Sequence, residues 1–384
     1  MQCPRCRNTD PEYFYKGSSG WYCRRCVMFQ RAMIEEEENE AELAEVQQGS
    51  EEYTLQYPLT PKQKEISEQC AAAMRTKDVL LHCVCGAGKT ELVIRSIAEM
   101  LKEGKKVGFA IPRRQVVLEL QERLAGYFPK AKVTAVCGGH TEETDGDLII
   151  CTTHQLFRYT NAFDLLILDE PDAFPYRGSD VLHGIASTAC RGHRIYLTAT
   201  PDEEMKARIA DGTLEHLTLY ERPHGKPLPV PEIWVRSRIP AFFALLKWLF
   251  GHADAPRMVF VPTVRGTEIM AFLLSLFLPC MSCTSRTPER DAVMEEFRNS
   301  KDSVLCCTSL AERGLTVTGV QIAVWQADSP VYDEAALIQM AGRAGRRIEE
   351  PEGDVLFLCL EHSDLAQACQ KEIMEANAHA VPSV

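Results

Sequence analysis

The 384-residue sequence contains no apolar run as long as a membrane span. Its opening stretch, MQCPRCRNTD, lacks the apolar core of a secretory signal. These absences predict a cytoplasmic chain with no membrane span of its own. No long-period repeat recurs, which excludes a solenoid or propeller. Residues 32–52 contain no Lys or Arg but nine glutamates. Residues 1–31 balance at +4, residues 32–52 at −9 and the rest at −7, for a net −12. The overall acidity therefore does not exclude a nucleic-acid partner. The acidic segment reads as a solvated helix or linker.

Cysteine is plentiful, at sixteen residues. Twelve are scattered, many in apolar segments such as DLIICT and SVLCCT, where a free thiol behaves as a small hydrophobe. The other four, Cys3, Cys6, Cys23 and Cys26, follow C-x2-C-x16-C-x2-C. Two such knuckles supply four soft ligands for tetrahedral zinc and leave no open position, so the metal is expected to be structural. Tyr13, Phe14, Tyr15, Trp21 and Tyr22 lie between the knuckles. They suit packing around the metal or stacking on bases.

From about Tyr53 onward, apolar strands alternate with helical patterns. VLLHCV, VGFAIP, VTAVCG, DLIICTT, LLILDE and RIYLTAT read as strands. After the proline-rich RPHGKPLPVPE, which reads as a hinge, RMVFVP, CMSCTS, SVLCCTS, QIAVWQA and DVLFLCL continue the alternation. The expected fold is α/β, with two tandem parallel-sheet domains behind a small zinc module. The boundaries are 1–31 for the module, 32–52 for the acidic linker, 53–222 for the first domain and 223–384 for the second.

CVCGAGKT lies where a strand meets a helix. Cys83 occupies the first glycine position of G-x4-G-K-S/T, so the phosphate-loop motif is incomplete. Gly86, Ala87 and Gly88 would wrap backbone N–H groups around phosphate oxygens. Lys89 would reach the β- and γ-phosphates, and Thr90 would ligate Mg2+. Downstream, LLILDEPDAF ends a strand on adjacent carboxylates. Asp169 is the expected Mg2+ partner and Glu170 the group that polarises the attacking water.

GAGKT, DEPD (Asp169 to Asp172) and TAT (Thr198 to Thr200) resemble motifs I, II and III of superfamily 2, DEAD/DEAH-like helicases. TSLAERGLTV (Thr308 to Val317) and QMAGRAGR (Gln339 to Arg346) resemble motifs V and VI. Within that superfamily the DEPDAFPY run, the four-cysteine module, ERG and QMAGRAGR resemble the late competence ComFA family. Pro171 and Cys83 are the positions to examine for departures from the usual pattern.

The resemblance implies two RecA-like domains and an ATP-driven motor that assists uptake of transforming single-stranded DNA. It places Gln63 on adenine and Gln339 in the nucleotide site. Arg343 and Arg346, three apart, would share a helix side and stabilise transition-state charge. Pro112, Arg113, Arg114, Thr152, Thr153, His154, Pro262, Thr263 and Thr308 would lie along the DNA. Implied partners are a ComFC-type protein and the membrane DNA-uptake channel, with the chain free in the cytoplasm or peripheral at the inner face of the membrane. A homo-oligomer is compatible with the sequence but not required by it. Two other readings compete: a PriA-like restart or repair helicase, and a non-catalytic zinc-module adaptor. In PriA-like proteins the cysteines lie within the second half of the motor, whereas here they precede it. Intact Lys89, Thr90, Asp169, Glu170, Arg343 and Arg346 argue against an adaptor.

Overall fold

The computed structural model describes residues 1–35, 41–308, 317–346 and 350–380. Motif V beyond Thr308, up to residue 316, and residues 36–40 of the acidic segment lie outside the described residues.

The chain divides into two compact units. The first comprises Met1–Cys83 and Lys89–Leu219, and the second Val84–Gly88 and Tyr220–Val384.

The first unit opens with an antiparallel sheet of β1 (Phe14–Gly17), β2 (Gly20–Cys23) and β3 (Ala32–Met33). Gly17 pairs with Gly20, so the β1–β2 connection is a two-residue hairpin loop. A long α/β alternation follows: α1 (Pro61–Ala73), β4 (Asp78–Cys83), α2 (Lys89–Lys102), β5 (Val107–Ile111), α3 (Arg114–Tyr127), β6 (Val133–Val136), β7 (Leu148–Thr152), β8 (Phe163–Asp169), α4 (Asp180–Ala189), β9 (Cys190–Thr198), α5 (Glu203–Ala210) and β10 (Leu214–Leu219). These strands make one seven-stranded parallel sheet in the order β10-β4-β9-β8-β5-β7-β6. Its central strands are buried on both faces. β5 and β7 are buried along their full length, which explains their unbroken apolar runs.

The second unit holds β11 (Glu232–Val235), α6 (Arg238–Gly251), β12 (Arg257–Phe260), α7 (Val264–Ser275), β13 (Cys280–Cys283), α8 (Arg290–Asn299), β14 (Val304–Cys307), β15 (Gln321–Trp325), α9 (Glu334–Ala341), β16 (Val355–Cys359) and α10 (Asp364–Ala380). Its sheet is parallel throughout, in the order β11-β16-β15-β12-β14-β13.

Two segments depart from the sequence expectation. The proline-rich stretch is tied down within the second unit. Leu228 N–H donates to Asn377 Oδ1 at 2.7 Å, Asn377 Nδ2 returns a bond to Leu228 O, and Gln370 Nε2 donates to Pro231 O. Prolines cannot donate, so side chains of α10 serve this backbone. The acidic segment forms no helix among its described residues. Its backbone instead caps carboxylates, with Ala44 N–H on Asp145 and Gln47 N–H on Asp147.

Candidate functional site

Parallel strands place side chains for chemistry at their carboxyl ends. In the first unit the strand order sorts the predicted residues into two neighbouring groups. β4, β9 and β8 are adjacent, and they lead into GAGKT, TAT and DEPD respectively. β5 and β7 come next, and they lead into Pro112-Arg113-Arg114 and Thr152-Thr153-His154.

Cys83 is the buried last residue of β4, in extended backbone, so that position has no need of glycine. The glycine requirement falls three and five residues later, at Gly86 and Gly88. Gly86 and Gly88 have φ of 83° and 79°, a region that disfavours a side chain. Ala87 N–H donates to Val84 O, closing the loop. Lys89 and Thr90 then open α2, so the helix N-terminus adds its positive end to the loop. Thr90 Oγ1 accepts from Arg123 at 2.8 Å and keeps a second lone pair for another partner.

Asp169 ends β8, and Glu170 follows at φ 50°, a left-handed conformation unusual for glutamate. Glu170 N–H donates to Leu197 O on β9, which fixes that turn. Burial pushes the Asp169 carboxyl up to about 7, helped by the charges of Glu170 and Asp172, while Lys89 pulls it down. The carboxylates of Glu170 and Asp172 and the ammonium of Lys89 thus all act on Asp169. The carboxylates suit a hard divalent cation that takes oxygen ligands.

Sequence reasoning gave no role to Asp172, Thr198 or Thr200 individually. The structure joins them. Buried Asp172 accepts from the Thr198 hydroxyl at 2.5 Å and from the Thr200 hydroxyl at 2.9 Å, and Thr200 N–H donates to Thr198 Oγ1. The ends of β8 and β9 are therefore locked together beside the Asp169–Glu170 pair. A signal was present in DEPD and TAT, since a buried carboxylate needs hydroxyl or N–H donors.

Gln63 is buried and helps build α1. Its Oε1 accepts from Thr60 N–H at 2.9 Å, and Gln63 N–H donates to Thr60 Oγ1, a capping box. Among the expected DNA-contacting residues, Arg113 is the N-cap of α3 and Arg114 donates to Gly138 O. Thr152 and Thr153 are buried. Thr263 caps α7, accepting from Gly266 N–H, behind a half-buried Pro262. Thr308 is buried just past β14.

In the second unit Gln339 lies on α9, but the helical pairing of Arg343 with Arg346 does not hold. α9 ends at Ala341, Gly342 is its cap, and Gly345 turns left-handed at φ 58°. Arg343 is buried and Arg346 exposed, so they do not share a helix side. The cause is Arg222, which sequence reasoning treated only as a boundary. It is 3% exposed, and its guanidinium donates to the carbonyls of Gly342, Ala344 and Gly345, and to Cys85 O of the GAGKT loop within the same unit. Burial pushes its pKa down to about 10. One side chain thus satisfies the carbonyls that a continuing helix would have used.

The four cysteines converge as expected. Their sulfurs all lie within 4.8 Å of one another and are buried. Cys3–Cys26 and Cys6–Cys23 are each 3.7 Å apart. A tetrahedron with metal–sulfur bonds of about 2.3 Å has an edge of about 3.8 Å, so these two edges match such an ion. Phe14 is buried and Tyr15 exposed, while Tyr13 lies under Arg25 at 4.2 Å. Of the aromatics between the knuckles, Phe14 serves the core, with Trp21 packed against it.

The module shares a core with the seven-stranded sheet of its unit. Phe29 packs its ring 5.9 Å from both His154 and Phe157, and burial lowers the His154 pKa. Arg5 donates to Phe29 O and Gln30 O and lies over Phe157. On α4, a Cβ at Gly184 would fall 1.9 Å from Cys6 O. Backbone would meet side chain there, so Gly184→Ala is expected to cost about 1–3 kcal/mol and lower the melting temperature by several degrees. A wild-type melting curve for that variant would show that the close approach is not made.

The helicase conserved C-terminal domain family matches residues 241–347, and the type III restriction enzyme res subunit family matches residues 56–203. Competence protein ComFA of Bacillus subtilis (strain 168) is 34% identical, covering 98% of this chain and 85% of its own length. Competence protein ComFA of Streptococcus pneumoniae (strain ATCC BAA-255 / R6) is 31% identical, covering 97% and 89%. Among solved structures, DEAD-box helicase Mss116 bound to ssRNA and UDP-BeF matches with a TM-score of 0.62 at 17% identity, covering 84% of this chain and 78% of that one. That likeness establishes the fold, two RecA-like domains. With a cysteine cluster in front and near-complete coverage by these relatives, the chain belongs to the ComFA family of superfamily 2 helicase-type proteins.

Proposed function

We propose that this protein is a DNA-stimulated ATPase that moves along single-stranded DNA and assists uptake of transforming DNA in natural competence. The observation that carries the reading is the strand order. It sets the phosphate loop, the carboxylate pair and the hydroxyl lock on adjacent strands, with basic and hydroxyl residues on the next two.

Lys89 and the loop of Gly86, Ala87 and Gly88 bind the phosphates, and Gln63 and Gln339 orient the nucleotide. Thr90 and Asp169 are the residues that would hold Mg2+, which supplies charge neutralisation at the phosphates. Glu170 orients and polarises the attacking water. Arg343 and Arg346 stabilise charge on the phosphoryl group in transit. Pro112, Arg113, Arg114, Thr152, Thr153, His154, Pro262, Thr263 and Thr308 line the strand, reading backbone rather than base. A ComFC-type protein and the membrane channel are the partners this role requires. No described helix is long and apolar enough to cross a membrane. A cytoplasmic position near the inner face of the membrane suits the role.

Zinc is the metal proposed for the cysteine cluster. Replacing Cys23 and Cys26 with Ser is expected to release about one equivalent of zinc per chain and to loosen the Phe29–His154 contact. Absence of zinc from the wild-type protein would refute the assignment.

The motor reading is tested with single strands biotinylated at either end and blocked by streptavidin. ATP-dependent displacement from one end only, absent with Glu170→Gln, is expected. DNA binding without displacement from either end would favour the adaptor reading.

A further inference from the structure

The outer faces of α6 and α7 carry large apolar side chains in helical register. On α7 and just beyond it these are Ile269, Phe272, Leu273, Leu276 and Phe277, spaced i, i+3, i+4, i+7 and i+8. On α6 they are Ile239, Phe243 and Phe250. Ile239 is 72% exposed, Phe272 66% and Leu276 63%. These are not the residues that hold the helices to the sheet. That task falls to Ala241, Leu245, Leu249, Met270, Ala271 and Leu274, which share one core against the same sheet face. Each helix therefore has a second apolar stripe pointing outward, a pattern expected of a helix that packs on two sides.

The exposed apolar surface of these eight side chains is on the order of 800 Å². A typical monomer's largest patch is roughly 300–600 Å², and one side of a standard protein interface buries about 800 Å². The charges interleaved with the stripes are Arg238 and Lys247 on α6 and Arg265 and Glu268 on α7, all exposed. Three cations face one carboxylate. A second copy docked two-fold on this face would bring the cations near their own counterparts, so the charge pattern disfavours self-association.

We infer that the α6–α7 face is a docking surface for an amphipathic helix of another protein, one with an apolar stripe flanked by Asp or Glu. Such a segment would seat its apolar residues on the outward stripes of α6 and α7 and its carboxylates on Arg238, Lys247 and Arg265.

The test is selection from a display library of helical peptides randomised at surface positions, using the full-length protein. Phe243→Ser and the Phe272→Ser/Leu276→Ser double variant serve as counter-targets. Both change exposed residues outside the ATP site, and circular dichroism and basal ATPase should match wild type. Selected peptides are expected to show apolar residues at i, i+3, i+4 and i+7 with acidic flanks. They should bind at least tenfold more weakly to either variant, and several-fold more weakly in 0.5 M salt than in 0.05 M salt. Peptides with basic flanks, or no enrichment, would overturn the inference. It would equally be overturned by sedimentation of the protein as a dimer that the double variant dissociates. Flotation with phosphatidylglycerol vesicles that the variants abolish would overturn it in favour of a membrane surface.

Discussion

Lys89→Ala is expected to lower ATP turnover by at least about 100-fold while leaving the melting temperature of the apo protein within a few degrees of wild type. Lys89 opens α2, where alanine is an excellent helix former, so the local backbone loses nothing. What is lost is an ammonium whose charge acts on the Asp169 carboxylate. Without it the phosphates and the carboxylates repel, and both nucleotide affinity and transition-state stabilisation fall. The check is steady-state hydrolysis alongside a fluorescent-nucleotide titration. Wild-type turnover in this variant would remove the phosphate-loop assignment altogether.

Arg222→Ala is expected to destabilise the second unit by at least about 1–3 kcal/mol, the cost of leaving a buried hydrogen-bonding group unmade. Four carbonyls receive the guanidinium: three in the turn after α9 and that of Cys85. Removing the side chain takes this buried donor from each of them. Arg222→Lys should recover little, because an ammonium lacks the planar fork that spans four acceptors. Urea unfolding followed by tryptophan fluorescence reads the second unit through Trp234, Trp248 and Trp325, which lie in or against its core. Hydrolysis should fall in parallel, since the same turn carries Arg343 and leads to Arg346. A variant as stable as wild type would mean that water serves these carbonyls and that Arg222 is not the support of the turn.

Most of the fold was legible because buried parallel strands announce themselves as unbroken apolar runs. The short strands β1 to β3 of the cysteine module were not read from the sequence, and in the two parallel sheets the strands not read, β10 and β11, lie at the ends of their sheets. Each is partly exposed and carries polar residues, such as Glu215, His216 and Thr218 in β10 and Glu232 in β11, so neither forms such a run. The residues proposed for the ATP site stand out in the sequence because charge and glycine at a strand's end have few structural uses. Arg222 does not, because a lone arginine beside prolines carries no periodic signal and its partners are backbone carbonyls distant in sequence. The helical reading of Arg343 and Arg346 failed for the same reason, since the turn is held by that unread side chain. Gly184 was hidden too: its need for glycine comes from Cys6, far away in the chain.

The central claim is that ATP hydrolysis at this site answers to single-stranded DNA. It is tested most directly by measuring hydrolysis by the purified protein without nucleic acid, and with single-stranded DNA, duplex DNA and RNA, beside Glu170→Gln. Stimulation chiefly by single-stranded DNA, abolished in the variant, is the predicted result. Equal rates under all four conditions, or hydrolysis that survives Glu170→Gln, would contradict it.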